Sequence, residues 1–269
     1  MRSMRLYSVE ELSQWLRGDT GRRLGYVSRE LVGSNGDSMK DLRFLKAKDT
    51  FLERACLALK NQFSSRDAFV TYFNAIKEDE RKNLFLRTAS FYLFLVKCGD
   101  WVVDAPDSDK VVDYLTNTYK YVAIFSLIES LSGEKFIDFY QFLTRRKSRV
   151  EFPIKDQPTL DEHYEKYKQE FGSIRRCISF FRALSPERQR ELLSRFEVKG
   201  SDPTIENVAK YLYELRSKFV HDAALVLHMS EGMSIGMQGD KIVVCNLSIE
   251  DAMQFFEEGL IEHFRATET

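Results

Sequence analysis

Residues 205–221 read IENVAKYLYELRSKFVH and carry the pattern that decides the fold. Apolar residues recur three and four positions apart, which predicts an α-helix from Ile205 to about Leu227. At about 100° per residue this helix has two apolar faces. The first face carries Val208, Leu212, Leu215 and Phe219, and the second carries Ile205, Ala209, Tyr213, Arg216, Val220 and Ala224. Because a helix with two apolar faces is usually buried on both sides, we expect one face to meet the core and the other a partner subunit.

Helical periodicity dominates the rest of the chain. With only 13 Gly and 5 Pro in 269 residues, a turn-rich β-sandwich or barrel is not expected. Further helices are predicted at residues 79–98, 111–130, 135–147, 164–182, 186–196 and 249–264. Gly239 and Asp240, between two short β-branched runs, predict one hairpin. The predicted fold class is all-α, a helical bundle with a small C-terminal β-hairpin and an additional N-terminal helical region.

A change of composition at residues 99–109, which include Pro106 and several acids, predicts a boundary between regions 1–105 and 106–269. The longest apolar run, Phe91 to Val96, is far shorter than the roughly 20 residues that span a bilayer. No signal peptide is predicted, and the cysteines form no C-x-x-C pair, so we expect a cytoplasmic protein with reduced thiols and no metal site. The net charge of −1 excludes a uniformly basic surface, so any nucleic-acid contact needs a local patch.

Arg216 and His221 are the candidate chemical groups of the 205–221 helix. They lie five residues apart, so they point about 140° away from each other on one helix. Two copies of the helix that meet about a two-fold axis would bring both pairs into one groove, since such an interface juxtaposes the same patch from both subunits. An arginine and a histidine at this spacing are also common in helices without any site, in which case Arg216 simply pairs with a carboxylate.

The stretch 212–221, LYELRSKFVH, resembles the signature helix of HEPN domains, in which an arginine is followed by a histidine after four to six residues. The resemblance is greatest to the Apea-like branch of that family. Residues 119–130, YKYVAIFSLIES, are similar to an earlier helix of the family, which ends in a Glu-x-Leu sequence like Glu129-Ser130-Leu131. The resemblance covers roughly residues 111–264 and leaves the first hundred residues unassigned.

The resemblance implies a metal-independent endoribonuclease that acts as a homodimer and needs no cofactor. Arg216 would contact the scissile phosphate, and His221 would act as general base on the ribose 2′-OH or as general acid to the leaving oxygen. The nucleophile would belong to the RNA, so DNA should resist cleavage. In prokaryotes such domains often serve as toxins, with an antitoxin as protein partner, or in defence against phages.

Supporting roles are assigned to Ser217, Asp222 and Glu129. Ser217 stands where active members of the family commonly have Asn, Asp or His, although a serine can still hydrogen-bond a phosphate. Asp222 could orient the His221 imidazole. The densest basic run, which contains Arg145, Arg146, Lys147 and Arg149, is the predicted RNA-binding rim. The alternative for these cations is a solvated helix end, where positive charge complements the helix dipole.

Two other functions are compatible with the same residues. A non-catalytic HEPN module would bind RNA or a protein partner and use the motif helix for dimerisation. A helical scaffold would use Arg216 only to pair with a carboxylate.

Overall fold

The computed structural model describes residues 42–101, 109–132, 137–145, 150–224, 230 and 232–265. These residues are mostly helical, with one small antiparallel sheet, which confirms the predicted fold class of a helical bundle with a β-hairpin. None of the helices described is both long and apolar enough to cross a membrane.

Residues 42–101 form a run of short helices. They are α1 (Arg43–Lys46), α2 (Lys48–Ala58), a 3-10 turn (Lys60–Gln62), α3 (Arg66–Ala75), α4 (Asp79–Tyr92) and a π-helical turn (Leu93–Lys97). Ser65 caps α3, since its side chain accepts a hydrogen bond from the Ala68 amide at 3.1 Å. The predicted helix at residues 79–98 is α-helical as far as Tyr92 and π-helical from Leu93 to Lys97.

The later residues supply the longer helices and the sheet. The elements are α5 (Asp109–Ser130), α6 (Phe139–Thr144), α7 (Gln157–Phe171), α8 (Ser173–Arg182), α9 (Pro186–Ser194), β1 (Phe196–Val198), α10 (Ile205–Asp222), β2 (Ser234–Gln238), β3 (Lys241–Cys245) and α11 (Ile249–Phe264). The final helix begins with a capping box, in which Ser248 and Asp251 accept each other's backbone N–H groups.

The sheet has the order β1-β3-β2, with both pairs antiparallel. The predicted hairpin is present: Gln238 pairs with Lys241 across the two-residue turn, where Gly239 has a φ of 62°. Only glycine adopts this left-handed conformation without strain. The strand β1 was not predicted, since Phe196 was assigned to the end of a helix.

The described N-terminal helices share their core with α11. The Tyr72 hydroxyl donates to the Ile261 carbonyl at 2.7 Å, and Arg81 donates to the His263 carbonyl at 2.8 Å. The rings of Phe85 and Phe264 meet edge to face at 5.4 Å. The chain from Lys40 to Thr269 is one compact unit. The predicted boundary after residue 105 therefore does not separate two hydrophobic cores in the part of the chain that the structure describes.

A buried carboxylate lies in this shared core. Glu257 on α11 is fully buried and accepts hydrogen bonds from the Tyr92 hydroxyl at 2.7 Å, the Lys97 ammonium at 2.8 Å and the Gln62 amide at 3.0 Å. Lys97 also donates to the Ala58 carbonyl at 2.5 Å. The cluster joins α2, the 3-10 turn, α4 and the π-helical turn to the last helix, and its charges are paired as burial requires.

Some predicted helices differ from the structure. Residues 164–182 are not one helix, because the chain breaks at Gly172, whose extended backbone separates α7 from α8. In the apolar run 91–96, Tyr92, Leu93 and Val96 face the core, whereas Phe91, Phe94 and Leu95 are exposed. Six consecutive apolar residues cannot indicate which side of a helix meets the core.

Candidate functional site

The motif helix α10 divides into a buried half and a surface half. Thr204 caps its start by accepting a hydrogen bond from the Asn207 amide at 3.3 Å. The buried residues of α10 are Ile205, Val208, Ala209, Tyr211 and Leu212. No residue from position 213 to the end of the helix is buried. The predicted second apolar face is therefore covered only over the first half of the helix.

Two neighbouring helices hold the buried half in place. The buried Tyr121 hydroxyl on α5 donates to the Leu212 carbonyl at 2.5 Å. The buried Cys177 thiol on α8 donates to the Ala209 carbonyl at 3.5 Å. Burial raises the pKa of both groups well above the ordinary values, so they remain protonated donors. These contacts set the position from which the second half of the helix projects.

Arg216 lies at the start of the surface half, next to a carboxylate of α5. Its Nη2 atom is 3.6 Å from Oε1 of Glu129, and both side chains are about four-fifths buried, with 18% and 23% exposed. The guanidinium carbon also lies 5.5 Å from the centre of the Tyr213 ring. The Nε atom of Arg216 is buried and has no hydrogen-bond partner among the described residues. The guanidinium is thus held on two sides and keeps donors that are not yet used.

Tyr213 and Arg176 complete the surroundings of this arginine. Burial raises the pKa of the Tyr213 hydroxyl, which also interacts with Ser173 and with Glu129. Arg176 on α8 donates from Nη1 to the Glu129 carbonyl at 3.2 Å. Sequence reasoning assigned a role to Glu129 but not to these two residues. The i, i+3 spacing of Tyr213 and Arg216 could have indicated their contact, whereas nothing local connects Arg176 with α5.

His221 and Asp222 lie on the last turn of α10 and are both exposed. No hydrogen bond joins the Asp222 carboxylate to the His221 imidazole, so the suggested orienting role is not seen in this chain alone. Val220 beside them is 47% exposed, and Ser217 is half-buried. The helix ends at Asp222, and the next residue, Ala223, adopts a left-handed conformation with a φ of 54°. The predicted end was at about Leu227.

Arg216 and His221 do not converge within one chain. Five residues of α-helix separate them by about 7.5 Å along the axis and about 140° around it. Arg216 contacts α5, whereas His221 projects from the free end of the helix. The two side chains therefore leave the helix in different directions.

An aromatic chain runs beside the surface half of α10. Trp101 stacks on Tyr119 at 4.7 Å, and Tyr119 meets Phe219 edge to face at 5.2 Å. Trp101 and Tyr119 are both exposed. Aromatic surface thus continues from Phe219, on the first apolar face of α10, across α5.

The predicted RNA-binding rim is described only at Arg145, since Arg146, Lys147 and Arg149 lie outside the described residues. Arg145 pairs with Glu170 at 2.7 Å, and its guanidinium lies 4.9 Å and 4.5 Å from the rings of Phe142 and Phe171. An RNA phosphate would have to compete with the Glu170 carboxylate for this side chain.

The arginines of α8 and α9 are also engaged with carboxylates. Ion pairs join Arg182 to Glu206, Arg188 to Glu191 and Glu258, Arg190 to Glu187, and Arg195 to Asp251. Three of these pairs, with Glu206, Glu258 and Asp251, connect this region to α10 and α11, whereas the other two lie within α9. They leave less free positive charge on this surface than the sequence suggests.

No cluster of three or more histidine, cysteine or acidic side chains suited to a metal ion occurs among the residues described. The chain matches no protein-family model, no curated protein and no solved structure. The resemblance to HEPN domains therefore depends on the residues quoted above.

Proposed function

We propose that the protein is a metal-independent endoribonuclease of the HEPN type that cleaves RNA at a composite site in a homodimer. The observation that carries this proposal is the division of α10, whose second half bears Arg216 and His221 and is less buried than the first, with residues 220–222 exposed. An exposed Val220 between two such polar groups is the kind of surface that a second copy of the helix would cover.

Each residue has a defined task in the proposed reaction. His221 of one copy takes the proton from the ribose 2′-OH, which attacks the adjacent phosphorus, or gives a proton to the departing 5′ oxygen. Arg216 of the other copy binds the non-bridging oxygens and stabilises the negative charge that grows on them. The products are a 2′,3′-cyclic phosphate and a free 5′-hydroxyl. Glu129 and Tyr213 keep the guanidinium in place before RNA binds.

A non-catalytic module that binds RNA or a protein partner is the second candidate. It is favoured by the ion pair between Arg216 and Glu129, because the Glu129 carboxylate competes with any phosphate for the guanidinium. In that case the second half of α10 would serve association alone.

The test is cleavage of mixed single-stranded RNA and of matching DNA in excess EDTA. We expect the wild type to cleave RNA but not DNA and to leave cyclic phosphate ends. His221→Ala should lose at least about 100-fold in rate, as for other general acid–base residues. His163→Ala is the matched control, since it removes a histidine from α7, and should keep the full rate. Activity that survives in His221→Ala would contradict the assignment, and a folded wild-type dimer without cleavage would favour the binding module.

The composite nature of the site has its own test. Arg216→Ala and His221→Ala should each be inactive alone. A mixture of the two variants forms heterodimers in which one of two sites keeps both residues, so about a quarter of the wild-type rate should return. A mixture as inactive as its components would mean that Arg216 and His221 act from the same chain or not at all.

A further inference from the structure

The three-stranded sheet has one face on the core and one face towards solvent. The buried face carries Phe196, Val243 and Cys245. The opposite face follows from the register: Ile235 lies opposite Val244, and Met237 lies opposite Ile242. A solvent-facing side of an antiparallel sheet normally alternates to polar residues, but here it is aliphatic over both strands of the hairpin.

This aliphatic face is well exposed at its outer strand. Ile235 is 71% exposed, Met237 50% and Ile242 36%, and Met233 just before β2 is 61% exposed. A contiguous apolar patch of a few hundred Å² is near the largest that monomeric proteins carry, and such patches usually mark a contact surface. We name these four residues the sheet patch.

The two edges of the sheet differ in their protection. Among the residues that the structure describes, the order β1-β3-β2 makes both β1 and β2 edge strands. The β1 edge carries exposed Glu197, and Lys199 follows it, which are the charges that natural proteins use to discourage strand pairing. The strand β2, SIGMQ, has no charge and no proline. Two copies could therefore approach along β2 without repulsion between like charges.

The backbone of β2 is oriented for this approach. The turn at Gly239 and Asp240 closes with hydrogen bonds between Gln238 and Lys241, and bonded pairs alternate along an antiparallel ladder. The N–H and C=O groups of Ile235 and Met237 therefore point away from β3, towards the open edge. They are the groups that a further strand would pair with.

Gly236 is the central residue of β2, and the residue types on either side of it mirror each other. Polar, apolar, glycine, apolar and polar residues follow one another from Ser234 to Gln238, so the order is the same in both directions. On the core side, a Cβ at position 236 would overlap the Tyr211 hydroxyl, which explains the glycine. A strand of this kind is self-complementary when a second copy runs antiparallel to it.

We propose that β2 pairs antiparallel with β2 of a second copy about a two-fold axis at Gly236, which joins two three-stranded sheets into one of six strands. Ile235 of each copy then lies opposite Met237 of the other. The contact is confined to the two β2 strands and to the cross-strand pairs of Ile235 with Met237, so the interface is small and association depends on protein concentration. The surface is distinct from the exposed half of α10, and the inference does not rest on the ribonuclease proposal.

Cross-linking tests the register of this pairing. In a Cys98→Ser background, which removes the exposed native thiol, Ile235→Cys and Met237→Cys are made as separate proteins. Directly opposite residues have Cα atoms about 5.5 Å apart, within disulfide reach, whereas identical positions lie diagonally at about 7–8 Å. Oxidation of the mixture should give a covalent heterodimer in at least several-fold greater yield than either protein alone. Equal yields in the three samples would overturn the proposal.

Sedimentation velocity over a range of concentrations gives a second measurement that needs no cysteine. Met237→Lys places a charge on the edge and should weaken association at least about tenfold, since a lysine on an edge strand discourages strand pairing. Glu197→Lys changes a charge on the other edge and should leave association unchanged. Both variants should keep the helical circular dichroism of the wild type. Association of Met237→Lys equal to that of the wild type would also overturn the proposal.

Discussion

Arg216 on α10 and Glu129 at the end of α5 face each other at 3.6 Å, and each side chain is about four-fifths buried. The distance is longer than a hydrogen bond, so the pair is held by charge and by the surrounding side chains rather than by direct donation. The guanidinium is therefore held in position, but not all of its hydrogen-bond donors are used. Its buried Nε donor has no hydrogen-bond partner among the described residues.

A double-mutant cycle should measure this pair. We expect Arg216→Met and Glu129→Gln to show a coupling free energy on the order of 0.5–1 kcal/mol in urea unfolding, the range of partly exposed ion pairs. The coupling should decrease with added salt. Lys218→Met, an exposed cation of the same helix, should show no coupling with Glu129→Gln. A coupling of zero would mean that Glu129 does not hold Arg216.

The buried carboxylate of Glu257 should dominate the stability of the core that α11 shares with the N-terminal helices. Glu257→Gln removes the counter-charge of Lys97, whose ammonium is 2.8 Å away, and should lower the free energy of unfolding by about 3 kcal/mol. The double variant Glu257→Leu with Lys97→Met leaves no unpaired charge and should be more stable than Glu257→Gln. Glu250→Gln, at an exposed position of the same helix, should change stability by less than about 0.5 kcal/mol. A similar loss in both glutamine variants would contradict the role of the buried pair.

His263 should make stability depend on pH below neutrality. Burial, and then the positive charge of Arg81, lower the pKa of its imidazole below the ordinary 6.5. Between the lowered and the ordinary pKa the unfolded chain binds more protons than the folded one, so the free energy of unfolding falls as the pH falls through this window. Urea unfolding at pH 7.5 and 5.5 should show a smaller decrease for His263→Gln than for the wild type. His163→Gln serves as the control, and an equal decrease in all three proteins would refute the prediction.

Gly259 should be intolerant of even one methyl group. A Cβ at this position would overlap the ring of Phe180, which stacks on Phe256 at 5.9 Å. Alanine favours a helix by about 1 kcal/mol over glycine, but overpacking a core costs about 1–3 kcal/mol. We expect Gly259→Ala to lower the thermal unfolding midpoint, and Phe180→Leu in the same chain to relieve part of the loss. A higher midpoint in Gly259→Ala would show that the ring can move aside.

Local signals in the sequence predicted some elements closely. The turn at Gly239 and Asp240 acts through neighbouring backbone groups, so its effect does not depend on the rest of the fold. The final helix has the predicted bounds of 249–264. The candidate residues Arg216 and His221 and the supporting residue Glu129 also came from local patterns and from the resemblance, and their catalytic role stays a prediction.

Contacts between distant segments could not be predicted in this way. The strand β1 exists because Glu197 pairs with Val244, far along the chain, and nothing in residues 196–198 marks that partner. The engagement of Arg182 with Glu206 likewise depends on how α8 and α10 pack. Positive charge counted along the chain therefore overstated the positive charge that is free at the surface.

A helical bundle with one hairpin could be predicted from the sequence alone, because periodicity and capping are properties of neighbouring residues. Which surfaces stay uncovered depends on how these elements pack together. Packing against α5 and α8 buries the first half of α10 and leaves His221 exposed, although both halves have the same apolar pattern. The same packing covers one face of the sheet and leaves Ile235 and Met237 in solvent. Burial is a relation between distant segments, so the exposed patches became visible only when the helices and strands were placed together.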